Sequence, residues 1–140
     1  MQSKVVWKGG MSFTGSTGSD GYLIPLDTVK ESGGNNLGFR PLQLFAIGLV
    51  GCTGMDVISI LQKKRQEVTD FEVSAEITRA KEHPKVFTKI LITYNITGKG
   101  IDREAVERAV ELSETKYCPA QAMLAETVEI SHKIMIHQED

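Results

Sequence analysis

Apolar and polar positions change period several times along the chain, and each change marks an element. Phe71, Val73, Ala75 and Ile77 alternate with Glu72, Ser74, Glu76 and Thr78, the period of a half-buried antiparallel strand. His83-Pro84 marks a turn. Val86 to Thr97 reads as the return strand, with Ile90, Ile92, Tyr94 and Ile96 on one face and Gly98-Lys99-Gly100 at its end. Val128, Ile130, His132, Ile134 and Ile136 alternate as a last strand. Three shorter strands open the chain, at Lys4 to Lys8, Met11 to Thr14 and Tyr22 to Leu26. The turn signals Gly9-Gly10 and Ser16 to Gly21 separate them, and Gly33-Gly34-Asn35-Asn36 forms a loop.

Helical periods fill the rest. From Pro41 to about Glu67 the pattern predicts one long helix, with proline at the first position, where its missing N–H costs nothing. Leu44, Phe45, Ile47, Leu49, Val50, Met55, Val57, Ile58 and Leu61 lie nearly all round it, which predicts burial on most sides. Its charged tail, Gln62 to Glu67, must emerge into water. Asp102 is the expected N-cap of a second helix whose apolar stripe is Ala105, Val106, Ala109, Val110 and Leu112, running to about Tyr117. Cys118-Pro119 opens a short third helix through Ala125. The order β-β-β-α-β-β-α-α-β defines an α+β fold. We read residues 1–140 as a single domain. A long helix apolar on so many sides needs more cover than one small sheet gives, so a partner subunit is expected.

Charge narrows the function. The net charge is −2, with Lys and Arg scattered. That leaves no basic stripe for nucleic acid and no polybasic patch for a membrane. The first residues read straight into a strand rather than a signal peptide. The apolar stretch Leu42 to Leu61 is broken by Gln43, Thr53, Asp56 and Ser59, so no membrane span is expected. The expectation is a soluble, cytoplasmic protein, where two cysteines are reactive or inert thiols rather than a structural staple. The two cysteines and the histidines at positions 83, 132 and 137 show no metal-ligand spacing, and no cofactor is implied. Gly15 to Gly21 follows no Rossmann strand and carries no Walker lysine, so it is a turn. His132, alone among isoleucines, reads as a packed, hydrogen-bonded residue.

The cysteines carry the candidate chemistry. Cysteine often serves merely as a small buried hydrophobe. Cys118, however, precedes Pro119 at a helix N-terminus, where partial positive charge and free N–H groups favour thiolate. Cys52 lies mid-helix between Gly51 and Gly54. Each glycine costs a helix about 1 kcal/mol relative to alanine. They make sense where another element or a substrate approaches the backbone closely.

Arg40-Pro41-Leu42-Gln43-Leu44-Phe45-Ala46-Ile47-Gly48-Leu49-Val50-Gly51-Cys52 resembles the segment of the OsmC/Ohr family that leads to its reactive cysteine. Tyr117-Cys118-Pro119-Ala120 resembles that family's second cysteine motif, and the order of elements is similar along essentially the whole chain. The resemblance implies an OsmC-like fold built as an intertwined homodimer, with two equivalent sites at the interface. It implies that Cys52 is the peroxidatic cysteine and Cys118 the resolving one, in oxidative-stress defence. A Cys52 thiolate would attack an organic hydroperoxide and become a sulfenic acid. Cys118 would condense with it to a disulfide, and a dithiol reductant would restore both.

The chain departs from the family pattern at the activating groups. The family's hydroperoxide reductases use a glutamate after the helix-starting proline, and here that position is Leu42, followed by Gln43. The family arginine lies upstream; Ser19 stands where one branch carries it. Arg40 is the only arginine before Cys52, and a cation there could stabilise a thiolate. Its alternative role is that of a solvated loop residue. Asp56, one turn after Cys52, would oppose a thiolate and reads instead as a hydrogen-bonded polar group at a dimer seam. Phe39, Phe45, Leu49 and Met55 are the expected apolar lining for a greasy substrate. Two functions therefore stand side by side: a cysteine peroxidase, favoured by the two thiols, and a non-enzymatic stress or small-molecule-binding protein with packed cysteines, favoured by Leu42.

Overall fold

The computed structural model describes residues 1–140. The chain forms two compact units, Met1–Ala46 and Ile47–Asp140. The element order is the expected one.

In the N-terminal unit, β1 (Ser3–Gly9), β2 (Ser12–Thr17) and β3 (Leu23–Leu26) form an antiparallel sheet in that order. The β1–β2 hairpin turns at Gly9 and Gly10, whose φ values of 102° and 55° suit residues without a Cβ. After β3 the chain makes a short 3-10 turn at Lys30–Ser32, which the sequence pattern did not predict. The loop around it is tied to one carboxylate. Asp27 accepts the N–H groups of Thr28 at 2.7 Å, Asn35 at 3.2 Å and Leu37 at 3.1 Å. The Thr28 N–H is the main reason its pKa lies below the ordinary 3.8; burial opposes this, and the Leu37 and Asn35 N–H groups and the Arg40 charge add to the lowering.

Helix α1 (Pro41–Lys63) starts with half of a capping box: the Gln43 side chain accepts the Arg40 N–H at 3.0 Å. It stops four residues before the expected Glu67. Arg65 takes a left-handed φ of 57°, and the Gln66 N–H reaches back to the Leu61 carbonyl at 3.0 Å. This is the 6→1 bond of a Schellman stop.

The C-terminal unit holds the rest of α1 and a second sheet of β4 (Glu67–Arg79), β5 (Phe87–Lys99) and β6 (Glu129–Gln138), in that order. β4 is antiparallel to the central β5, and β6 is parallel to it. A parallel pair needs a crossover, which α2 (Arg103–Leu112), a π-helical turn (Ser113–Tyr117) and α3 (Pro119–Ala125) supply. Asp102 caps α2 as expected, accepting the Glu104 N–H at 3.1 Å. Ile90, Ile92, Tyr94 and Ile96 form the buried face of β5.

Within one chain α1 buries a single stripe rather than most of its surface. Leu49, Thr53, Val57 and Leu61 recur every fourth residue and are the buried positions. Phe45, Ile47 and Met55 stand 61%, 49% and 75% exposed. By length and composition alone this helix is apolar enough to cross a membrane. Its buried stripe nonetheless makes it a core helix: Thr53 bonds to Tyr94 of β5, and the position of a Cβ on Gly54 lies 3.4 Å from Val73 of β4.

Candidate functional site

The two cysteines, 66 residues apart in sequence, meet in the C-terminal unit, where the Cys118 thiol donates to Cys52 Sγ across 3.1 Å. Both are free thiols; Cys118 is buried and Cys52 half-buried. A disulfide needs about 2.05 Å, so a shift of roughly 1 Å would close the bond. Cys52 sits on α1 because its neighbour Thr53 is pinned into the core. Cys118 is held by its extended conformation as the N-cap of α3, with Pro119 after it, and by its N–H bond to the Ser113 carbonyl at 2.9 Å.

The expectation of an acidic Cys118 is overturned. The Gln121 N–H does donate to its sulfur, at 3.4 Å, as a helix N-terminus should. Burial outweighs that bond and the neighbouring Cys52 adds to it, so the Cys118 thiol is pushed up to about 11. The buried sulfur therefore keeps its proton and points it at the more accessible one.

A polar network missed by the sequence reading supports the pair. Thr53 Oγ1 lies 3.1 Å from the Tyr94 hydroxyl and 2.9 Å from Ser113 Oγ, and accepts the Gln121 side-chain N–H at 2.8 Å. Thr53, Tyr94, Ser113 and Gln121 are all buried. Ser113 also donates to Asp56 at 2.9 Å, so Asp56 is the hydrogen-bonded polar group expected of it. Tyr94 reaches His132 Nδ1 at 3.1 Å, which likewise makes His132 a packed, bonded residue. Burial pushes the Tyr94 hydroxyl up to about 12, against the opposing bonds from Thr53 and Gln121. The signal was present in the sequence as polar tips on buried stripes: Thr53 between Leu49 and Val57, Tyr94 between Ile92 and Ile96.

The other candidate residues stand as follows. In the N-terminal unit, Arg40 donates to the Gly38 carbonyl at 3.1 Å. Phe39 pairs by backbone with Leu26, and Phe45 is exposed. Leu49 is wholly buried, a core residue with no surface to offer a ligand. Met55 is exposed, three residues beyond Cys52 on α1. Nothing in the chain approaches the Cβ position of Gly51 within 4 Å; only Gly54 has the close neighbour that its glycine suggested.

The family model for OsmC-like protein matches residues 33–133. The chain is 38% identical over 135 residues to Protein YhfA of Escherichia coli K12, covering 94% of this chain and 95% of that one. It is 27% identical over 119 residues to the organic hydroperoxide resistance protein OhrB of Bacillus subtilis, covering 84% and 85%. A crystal structure of a hypothetical protein from Aquifex aeolicus superposes with a TM-score of 0.86 at 28% identity, over 99% of this chain and 97% of the other. With its two cysteines, its element order and these relatives, the chain belongs to the OsmC-like family, whose homologues suggest a redox or peroxide-stress role.

Proposed function

We propose that this protein reduces organic hydroperoxides through Cys52 and Cys118 and is recycled by a dithiol. The observation that carries the proposal is the sulfur pair at 3.1 Å, in which burial favours the protonated form of Cys118. The roles follow from accessibility. Cys52, half-buried, is the attacker; Cys118, buried and protonated, is the resolver. The Cys52 thiolate attacks the O–O bond, which breaks to leave Cys52 sulfenic acid and an alkoxide that takes a proton to become an alcohol. The Cys118 sulfur then attacks the Cys52 sulfur and expels water, using its own proton and the hydroxyl. A dithiol reduces the resulting disulfide by two exchange steps. Met55, exposed on α1, offers apolar surface beside the reacting sulfur. The chemistry as written uses the C-terminal unit alone.

The homodimer belongs to the same proposal. It is supported by the apolar side of α1 left uncovered within one chain, together with Val5, Val6, Trp7 and Leu23 of the first sheet. A cytoplasmic setting, where dithiol reductants are maintained, completes it.

Leu42 in place of a carboxylate favours a second reading: a fold-preserving binding protein with unreactive thiols. One assay separates the two. Reduced protein is mixed with an alkyl hydroperoxide and free thiols are counted with time. The peroxidase loses two thiols per chain, a loss abolished by Cys52→Ser; thiols unchanged under a large excess of peroxide would overturn the peroxidase and leave the binding protein as the reading.

A further inference from the structure

Cys52 and Cys118 are not the only donors at the site. Asp56 lies one helical turn beyond Cys52, on the same face of α1. A carboxylate oxygen of Asp56 and the two sulfur atoms all lie within 4.8 Å of one another. Two of these donors come from one helix at i and i+4, and the third from the N-cap of α3. None is fully exposed, and Cys118 is buried, so the cluster is not a set of loose surface acids.

We propose that the reduced thiol pair and Asp56 form a three-ligand site for a zinc-class divalent cation, which formation of the disulfide abolishes. The donor set selects the metal. Two sulfurs suit a borderline-soft ion, and one carboxylate disfavours the monovalent copper that thiolates alone would hold. In a tetrahedral zinc site with bonds of about 2.3 Å the two sulfurs stand roughly 3.8 Å apart. The observed 3.1 Å lies between that spacing and a disulfide, so either product is reached by sub-ångström to 1 Å movements of side chains. Binding expels one proton from each thiol and gives the Cys52 and Cys118 sulfurs and one Asp56 oxygen to the ion. Two thiolates and a carboxylate outweigh the ion's double charge by one. The fourth position falls to water from the half-buried side of Cys52 and Asp56. Ser113, which donates to Asp56 at 2.9 Å, is the outer-shell group that orients the carboxylate.

The site follows from proximity rather than spacing, which is why the sequence showed no metal motif. It does not depend on the peroxidase reading. Metal uptake and thiol loss to peroxide are separate readouts, and either can fail alone.

The test uses the whole reduced chain under argon, titrated with cobalt(II) and then with zinc(II) in competition with a chromophoric chelator. The expected result is one ion per chain. Cobalt should give a thiolate-to-metal charge-transfer band together with the visible bands of tetrahedral coordination. Asp56→Asn should weaken binding by at least ~10-fold, Cys118→Ser should remove the stoichiometric site, and protein oxidised to the disulfide with the two-electron thiol oxidant diamide, which takes up both thiol protons, should take up none. No uptake by reduced protein would overturn the proposal. So would affinity unchanged in Asp56→Asn, or equal uptake by the oxidised form. Circular dichroism of each variant verifies its folding, and the oxidised wild-type chain provides the same comparison with no substitution at all.

Discussion

The two units each bury polar chemistry, and they do so in opposite ways. In the N-terminal unit the buried group is a carboxylate, Asp27, held ionised by three backbone N–H groups. In the C-terminal unit the buried groups are the hydroxyls of Thr53, Tyr94 and Ser113 and the amide of Gln121, bonded to one another, and beside them the thiol of Cys118; burial holds Tyr94 and Cys118 in their neutral forms. A charge satisfied by the backbone fixes a loop but has no proton to give near neutral pH. A neutral side-chain network retains its protons, and here it fixes Thr53 and Gln121, the chain neighbour of one sulfur and the backbone N–H donor to the other. The contrast sets the loop-fixing carboxylate of the first unit against the cysteine pair of the second, where the proposed chemistry is sited.

The largest effect on stability should come from Thr53. It joins Tyr94, Ser113 and Gln121; Thr53→Val takes a buried partner from each and strands the Gln121 side-chain N–H, while Tyr94 keeps His132 and Ser113 keeps Asp56. A loss of about 2–3 kcal/mol is expected from urea unfolding. A loss below ~0.5 kcal/mol would mean that the network repairs itself and that the contrast between the units is overdrawn.

The units should also lose stability at opposite ends of the pH scale. Asp27 has a lowered folded pKa, so its contribution is present above the ordinary 3.8 and is lost as pH falls through the lower folded value. Asp27→Asn should flatten the acid limb of stability against pH. Cys118 has a raised folded pKa, so its contribution is present below the ordinary 9.0 and is lost as pH rises toward about 11. In chelator-containing buffer, Cys118→Ser should remove the part of the alkaline limb between 9.0 and about 11, leave the later part from Tyr94, whose pKa is raised to about 12, and leave the acid limb intact. If both substitutions altered the same limb, the assignment of opposite electrostatics would fail.

The smallest effect should be at the surface. Lys89 and Glu129 pair across β5 and β6 at 3.7 Å with both side chains well exposed. Lys89→Ala should change stability by no more than about 0.5 kcal/mol in thermal unfolding, and less in high salt.

Most of the architecture was legible because its elements are strongly periodic. The alternation around Tyr94 and His132 gave the second sheet, and Asp102 gave the start of α2. The end of α1 was not legible, because Arg65 stops the helix in a left-handed conformation for which arginine is no signal. A pattern apolar all round states what must be covered but not by which chain: one chain buries a single stripe of α1, and the rest is the cover for which a partner subunit was expected. At the site, the sequence located both cysteines but reversed the electrostatics of Cys118. A helix N-terminus can be read from Cys-Pro, whereas the burial that defeats it depends on packing between elements remote in sequence. Asp56 was read correctly as bonded, but its place beside both sulfurs depends on a contact spanning 66 residues.

The account centres on the division of labour between the two sulfurs, and sulfenic-acid trapping in the two single-cysteine proteins tests it most directly. Cys118→Ser and Cys52→Ser are each exposed to one equivalent of an alkyl hydroperoxide with a cyclic dione present, and the adduct is located by peptide mass spectrometry. The account predicts an adduct on Cys52 in the first protein and none on Cys118 in the second. An adduct on Cys118, or none on Cys52, would contradict it.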